Sequence, residues 1–418
     1  MRTAESSSYD RFIAVVAGQW EMGGAAGMSA RQISGLTDAP VSSIYHHFGS
    51  LEHLFLASQQ QCIVEAKFWC DRQWQQFDGL DASPAAFAGF FAQIVDAWCE
   101  ERRELAFAWR ECQLLAQQSA LFVGAAREWA ALWERFWSEA GARFGLGAGS
   151  IVAQRVFENE SLFHMIRWRR LVDRPALDET ARVLGAWLTG TAMPPAPWRE
   201  FAREEALRSM PVLPDRDETA ARIVETAAQI IDESGLARLT HRAVAERARL
   251  TLGTVSHKFR TKPALLEAAF EGLYRANLTR LQADVPARAA LLTRDVADDL
   301  AGMVLRGGSA RGGYELFVAT ARDPALRQFG AQLRYLRGRT SRGAMQELVG
   351  DGREIGITEA ALFSGFLTSQ LRAHDGFPTE IAPHIRSELD VLIALARAVP
   401  SGGQCRRGTV PSGAFGCL

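Results

Sequence analysis

With 418 residues, 48% of them hydrophobic and 23% charged, the chain is long enough for two to four folded units and too apolar for a disordered polymer. Its formal net charge of −1 means that total charge says nothing of a nucleic-acid partner, so any basic face has to be found locally. No stretch reaches the ~20 apolar residues of a membrane span, the polar start MRTAESSSYDR is unlike a secretory signal, and the six cysteines form no CxxC pair; together these predict a cytoplasmic protein without membrane contact, metal site or cofactor, its thiols buried or free.

The first predicted helix carries Phe12, Val15, Val16 and Trp20 at i, i+3, i+4 and i+8, the repeat of one helical face. Gly23-Gly24 stop it, because a residue without Cβ accepts the left-handed conformation at a helix end. Ser29 then stands where an N-cap belongs and starts a second helix of about two turns. After a break at Thr37-Asp38-Ala39-Pro40 comes a short third helix with the cluster IYHHF, and a fourth begins near the hydroxyl of Ser50. Long amphipathic helices follow at about 84–118, 119–144, 150–171 and 175–191. Two proline clusters, Pro194-Pro195-Ala196-Pro197 and Pro211 to Pro214, then bracket the short helix WREFAREEALRS. This linker could span roughly 50 to 60 Å.

From 220 the chain begins again. Displaced by 211 positions, residues 9–58 lie over 220–269 without a gap, pairing Gly24 with Gly235, Arg31 with Arg242, His46 with His257 and Phe48 with Phe259. Thr240 takes the place of Ser29 as a cap, and Thr261 that of Ser50. The order in each copy, a first helix, two short helices joined by a tight turn and a longer capped helix, is that of a helix-turn-helix whose second short helix enters the major groove. No convincing strand run appears, and the predicted fold is all-α. Its predicted units are 1–60 and 217–270 as reading heads, 61–192 and 271–399 as helical bodies, 193–216 as linker, and a disordered tail at 400–418.

The segments PVSSIYHHFGSLEHLF and TLGTVSHKFRTKPALL resemble the DNA-binding region of TetR-type transcriptional regulators. In that family a Ser-x-Gly-Thr-Leu-Tyr-x-His-Phe run is followed shortly by a lysine. Thr251, Gly253, Thr254, Val255, Phe259 and Lys262 fit this pattern, as do Ser43, Ile44, Tyr45, His47 and Phe48. Ser256 stands in the tyrosine position and Lys258 in that of the histidine; in the first copy Pro40 replaces the serine, Ser42 the glycine and Leu51 the lysine. The resemblance covers about 50 residues of each half. It implies two tandem TetR-like units, each a helix-turn-helix domain plus a helical ligand-binding and dimerisation domain, acting on a double-stranded DNA operator as a ligand-responsive repressor. Since such regulators bind DNA as two-fold dimers, a chain with two units would be an intramolecular pseudo-dimer, or would pair again with a second copy of itself.

Hydroxyls and cations at the edges of the third helix suit phosphate oxygens. The candidates are Ser42, Ser43, Tyr45, His46 and His47 in the first copy, and Thr251, Gly253, Thr254, Ser256, His257, Lys258 and Lys262 in the second. For the histidines, a solvated side chain is the competing reading. Arg242 is a candidate for a further backbone contact, with a surface salt bridge as its alternative. Phe48 and Phe259, lacking polar atoms, are expected to pack the third helix onto the first.

The copies differ in charge. Residues 238–262 carry Arg238, Arg242, Arg247, Arg249, Lys258, Arg260 and Lys262 against Glu246 alone, whereas 27–51 carries Arg31 against Asp38. Weaker DNA binding by the first copy follows, since each missing phosphate contact forfeits counterion release.

All tryptophans precede residue 199. They fill a core or the pairing helices, or else Trp109, Trp133, Trp137, Phe163 and Trp168 line a cavity for a small hydrophobic or aromatic effector, with Arg110, Glu111 and His164 orienting it. An enzyme has no support: there is no phosphate-cradling glycine loop, GxSxG or HExxH. The alternative to a regulator is a helical ligand-binding or protein-interaction module with decayed heads.

Overall fold

The structure, a computed structural model, describes residues 7–80, 82–282, 310–339, 341–373 and 381–400. The predicted tail lies outside them, apart from Pro400. Among the described residues every regular element is helical.

The first head comprises α1 (Ser8–Gly27), α2 (Ala30–Thr37), α3 (Val41–Phe48) and the start of α4 (Leu51–Gln75). Ser29 caps α2 in a full capping box with Gln32, and the Ser50 hydroxyl accepts from the amide of His53. Phe12, Val16 and Trp20 of α1, Ile33 of α2, Ile44 of α3 and Leu54 of α4 close the core of the head. Helix α4 runs unbroken through residue 60, so head and body share a rigid rod.

The body of the first half follows as α5 (Phe87–Glu100), α6 (Arg103–Ala116), α7 (Val123–Arg143), α8 (Gly149–Met165) and α9 (Arg170–Thr189). The single helix expected over 84–118 is thus two, broken at Glu101-Arg102, and that expected over 150–171 stops at Met165. Its successor starts at Arg170 and holds Pro175 inside. The linker helix α10 (Pro197–Arg208) is docked and buries Ala202 and Ala206 against Val172 and Ala176 of α9 and Ala331, Tyr335 and Leu336 of the second half.

The second head repeats the first: α11 (Glu218–Ser234), α12 (His241–Ala248), α13 (Leu252–Lys258) and α14 (Lys262–Gln282). Its body is described as α15 (Ala310–Arg322), α16 (Gly330–Tyr335), α17 (Ser341–Val349), α18 (Ile357–Ala373) and α19 (Ile381–Ala398).

The halves meet along α8, which is buried from Val152 to Met165 between α5 and α7 of its own half and α18 and α19 of the other. A helix buried on all sides must satisfy its polar groups across the contact. Arg155 does so with two 2.8 Å bonds to Glu388, Trp187 donates to Glu359 at 2.9 Å, and Arg337 donates to Glu160. Gly365 lets α18 approach α8 closely, since a Cβ there would meet the Asn159 side chain at 2.6 Å.

Candidate nucleic-acid interface

Two backbone features fix both helix-turn-helix turns. Asp38 and Arg249, 211 positions apart, are the only described non-glycine residues with positive φ (49° and 53°), each ending the second helix of its head. Earlier in each head, Gly24 (φ 58°) and Gly235 (φ 83°) break the first helix, and the amide after each break is taken by a carboxylate from the body: Ala25 by Glu111 at 3.1 Å, Leu236 by Glu315 at 2.6 Å. No side chain fits at position 24, where a Cβ would lie 2.2 Å from Glu111 Oε1. Glu111 therefore holds the head to the body and is not free to orient an effector.

Each third helix turns one aliphatic residue into the head, Ile44 or Val255, and its other face outward. On α3 the outward residues are Ser42, Tyr45, His46 and His47, with Ser43 half-buried. On α13 they are Gly253, His257 and Lys258, joined by Thr251 just before the helix, while Thr254 and Ser256 are half-buried. Phe48 stacks on Tyr9 (4.7 Å between centroids) and edges Phe12, so it does pack α3 onto α1; Phe259 is buried, with Arg216 over its ring.

Several candidates have structural duties. Thr251 caps α13, accepting from the amide of Thr254 at 3.0 Å. His47 Nε2 bonds Ser8 Oγ at 2.7 Å, and its counterpart Lys258 bonds Asp217, so in both heads the last turn of the third helix is tied to the start of the first. Asp217 also caps α11, and the Lys258 ammonium holds its carboxyl below the usual range. Arg247 pairs with Glu233, whose carboxyl is held low for the same reason. These two acids lie outside the window 238–262, which is why local charge counting overstated the free cations. Arg238, Arg242, Arg249, Arg260 and Lys262 remain exposed. Lys262 opens α14, where the helix dipole disfavours a cation, so it contributes nothing to the helix it begins.

Residues 223–269 match the family model of bacterial regulatory proteins, tetR family. The match runs from the middle of α11 into α14. The second head is therefore of the TetR type. Over 66 residues the chain is 39% identical to proteins named HTH-type transcriptional regulator BetI from Burkholderia thailandensis and from Paraburkholderia phytofirmans. That stretch is 16% of this chain and 34% of either relative, so the match spans about a third of their length. No described helix is long and apolar enough to cross a membrane.

The suggested pocket residues separate into two places. Trp109, Trp133 and Trp137 meet in the first body, with Trp109–Trp133 at 5.2 Å and Phe157 against Trp133 at 4.5 Å and Trp137 at 5.0 Å. Phe163 instead faces Phe317 of the second half, and Trp168 faces Tyr335. Arg110 is fixed by Glu158 and Ser161, and His164 by Asp96 and Arg334. What the sequence could not supply was Asp217, Glu233, Glu111 and Glu315, since their partners lie 14 to 86 positions away.

Proposed function

We propose that this chain is a sequence-specific, DNA-binding transcriptional regulator, a ligand-responsive repressor that carries both of its reading heads in one molecule as a pseudo-dimer. The observation that carries the reading is the return, after 211 residues, of the same turn geometry at Asp38 and Arg249 and the same broken helix at Gly24 and Gly235. A TetR-type segment over 223–269 supports DNA as the partner, and the exposed cations of the second head supply the phosphate contacts. The packing of α8 and α9 against α18 and α19 supports pairing within the chain, with the two units at 1–192 and 217–399 joined by the docked linker.

Trp109, Trp133 and Trp137 are the proposed site for a small hydrophobic or aromatic effector in the first body. The indole N–H groups of Trp133, Trp137 and neighbouring Trp98 find no acceptor there, so an effector with an oxygen acceptor would satisfy donors that the core leaves open. Repression is the behaviour implied by the family resemblance, with an effector shifting the spread of the heads.

Genomic footprinting with the full chain, followed by mobility shifts on the recovered site at several salt concentrations, tests the reading. One chain per site with a negative salt slope is expected. A helical module with decayed heads, the reading favoured by the uncharged face of α3, would give no salt slope.

A further inference from the structure

Because the two heads share one frame, each serves as a control for the surface of the other. In the second head Glu233, near the end of α11, and Arg247 of α12 form an ion pair. Their counterparts 211 positions earlier are Met22 of α1 and Leu36 of α2, exposed at 73% and 58%. Positions close enough to pair in one head are neighbours in the other, so two apolar side chains share a patch of surface where the same fold elsewhere keeps a solvated pair of charges. Exposed apolar side chains set together mark contact surfaces. Beside them, between α1 and α2, runs a groove of about 390 Å³ whose lining includes Gln19, Met28, Gln32, Ile33 and Leu36.

The outward face of α2 adds a charge pattern. Arg31, Gly35 and Asp38 follow one another at i, i+4 and i+7, on the side away from the buried Ile33 and Thr37. Arg31 and Asp38 are exposed, opposite in sign and about 10 Å apart along the helix axis. Neither forms an ion pair among the described residues. Gly35 lies between them. A Cβ there would meet nothing within 4 Å, so the head itself does not require glycine, and its counterpart in the second head is Glu246. Glycine inside a helix costs stability, but on an exposed face it lets a second backbone come close.

We propose that this face of the first head is an interface with a second copy of the chain, in which α2 packs antiparallel on its own mate about a two-fold axis beside Ser34 and Gly35. The charge pattern selects that occupant. Such an axis exchanges position 31 with position 38, so Arg31 of each chain meets Asp38 of the other, and one contact pairs both charges twice. Gly35 stands at the crossing, and Leu36 of each chain enters the groove of the other with Met22 covered at its rim. The second head is excluded by the same operation, which would set Arg242 against Arg249 and bring two copies of Glu246 together. A contact of one short helix and a few flanking side chains is small, and it holds chains together weakly and in a concentration-dependent way. It leaves α3 out and does not rest on DNA binding. A pair of chains joined by it carries two copies of the cationic second head.

Sedimentation velocity of the full chain without DNA, over a wide range of concentration, tests the interface. The mean mass is expected to rise from one chain toward two. Met22→Glu with Leu36→Arg installs the ion pair that the second head already holds at these positions, so the frame accommodates it; association should weaken at least about tenfold. Arg31→Glu and Asp38→Arg should each weaken it too, whereas the two together restore opposite charges across the axis and should recover it. Position 249 shows that arginine is accepted at the turn where Asp38 stands. Single chains at every concentration, association unchanged in Met22→Glu with Leu36→Arg, or a charge-exchanged double variant no better than either single one would each overturn the proposal. Should the Met22 and Leu36 variant not fold, as read by circular dichroism, the charge-exchange series decides without it.

Discussion

The two heads share a backbone and differ in what they show to solvent. Both have hydroxyl caps on the second and fourth helices, a left-handed residue at the same turn position and the same glycine break closed by a glutamate from the body. The second presents Arg238, Arg242, Arg249, Arg260 and Lys262, while the first presents Tyr45, His46 and His47 with Arg31 as its exposed arginine on α2. The first head is also bound to the other half, because Arg322 of α15 donates to the carbonyls of Trp20 and Glu21 and to Glu111, and Arg103 links Glu21 to the Ala321 carbonyl. The difference teaches that a helix-turn-helix frame is kept by its turns and core, while the charge it presents to solvent is set separately by a few exposed side chains.

The comparison can be broken most directly at the cations. Replacing Lys262 and Arg242 together with Gln should lower affinity for the recovered DNA site by at least about tenfold and flatten the slope of log K against log salt by about 1.8. Tyr45→Ala with His47→Ala should cost less and leave the slope nearly unchanged; equal losses in a mobility-shift assay would put the two heads on the same footing. Lys258 is left out of the larger set because it already serves Asp217.

Gly253 sharpens the contrast. A Cβ there would meet only Thr251 Oγ1 at an ordinary 3.7 Å, so nothing in the fold requires glycine on this exposed helix. Gly253→Ala should stabilise the protein by about 0.5–1 kcal/mol in urea melts and yet weaken DNA binding, if the glycine is there to let a phosphate backbone approach. A stabilised variant with unchanged DNA affinity would remove that role.

The shared frame predicts matched losses. Ser29→Ala and Thr240→Ala should each cost about 1 kcal/mol of stability, and a cost confined to one of them would argue against equivalent turns. The smallest effect is expected at Asp217→Asn, which frees Lys258 and removes a negative charge beside the reading helix, tightening DNA binding a few-fold. Because Lys258 depresses the Asp217 carboxyl in the folded chain, the stabilising contribution of this pair is complete above the ordinary aspartate value of about 3.9 and fades as pH falls through the lower folded value. Urea midpoints measured across that acid range should therefore fall less steeply in Asp217→Asn.

Much of the frame was legible because its causes are local. A hydroxyl before an apolar run, as at Ser29, Thr240, Ser50 and Thr261, satisfies amides three residues away. The packing of Phe48 and Phe259 follows from side chains without a polar atom, and not from helical period, since Phe259 stands just past α13 in extended backbone. Legibility failed where a helix is interrupted or a charge is spent by a remote partner. Nothing near residue 101 marks the break between α5 and α6, and nothing near 258 reveals Asp217. For the same reason the five aromatic residues expected in one cavity divide between a tryptophan core and the junction of the halves, since period tells which face a residue occupies and not what that face meets.

By itself, then, the sequence determined the kind of element, its caps and turns, the recurrence at 211 positions and the uneven placement of basic residues, all of which depend on neighbours within a few bonds or one helical turn. Only the tertiary structure decided which cations are paired with distant acids and where α8 is buried. Those outcomes depend on which distant side chains the packed helices bring within reach of one another, at the surface for the head cations and in the interior for α8, where burial makes an unpaired polar group costly.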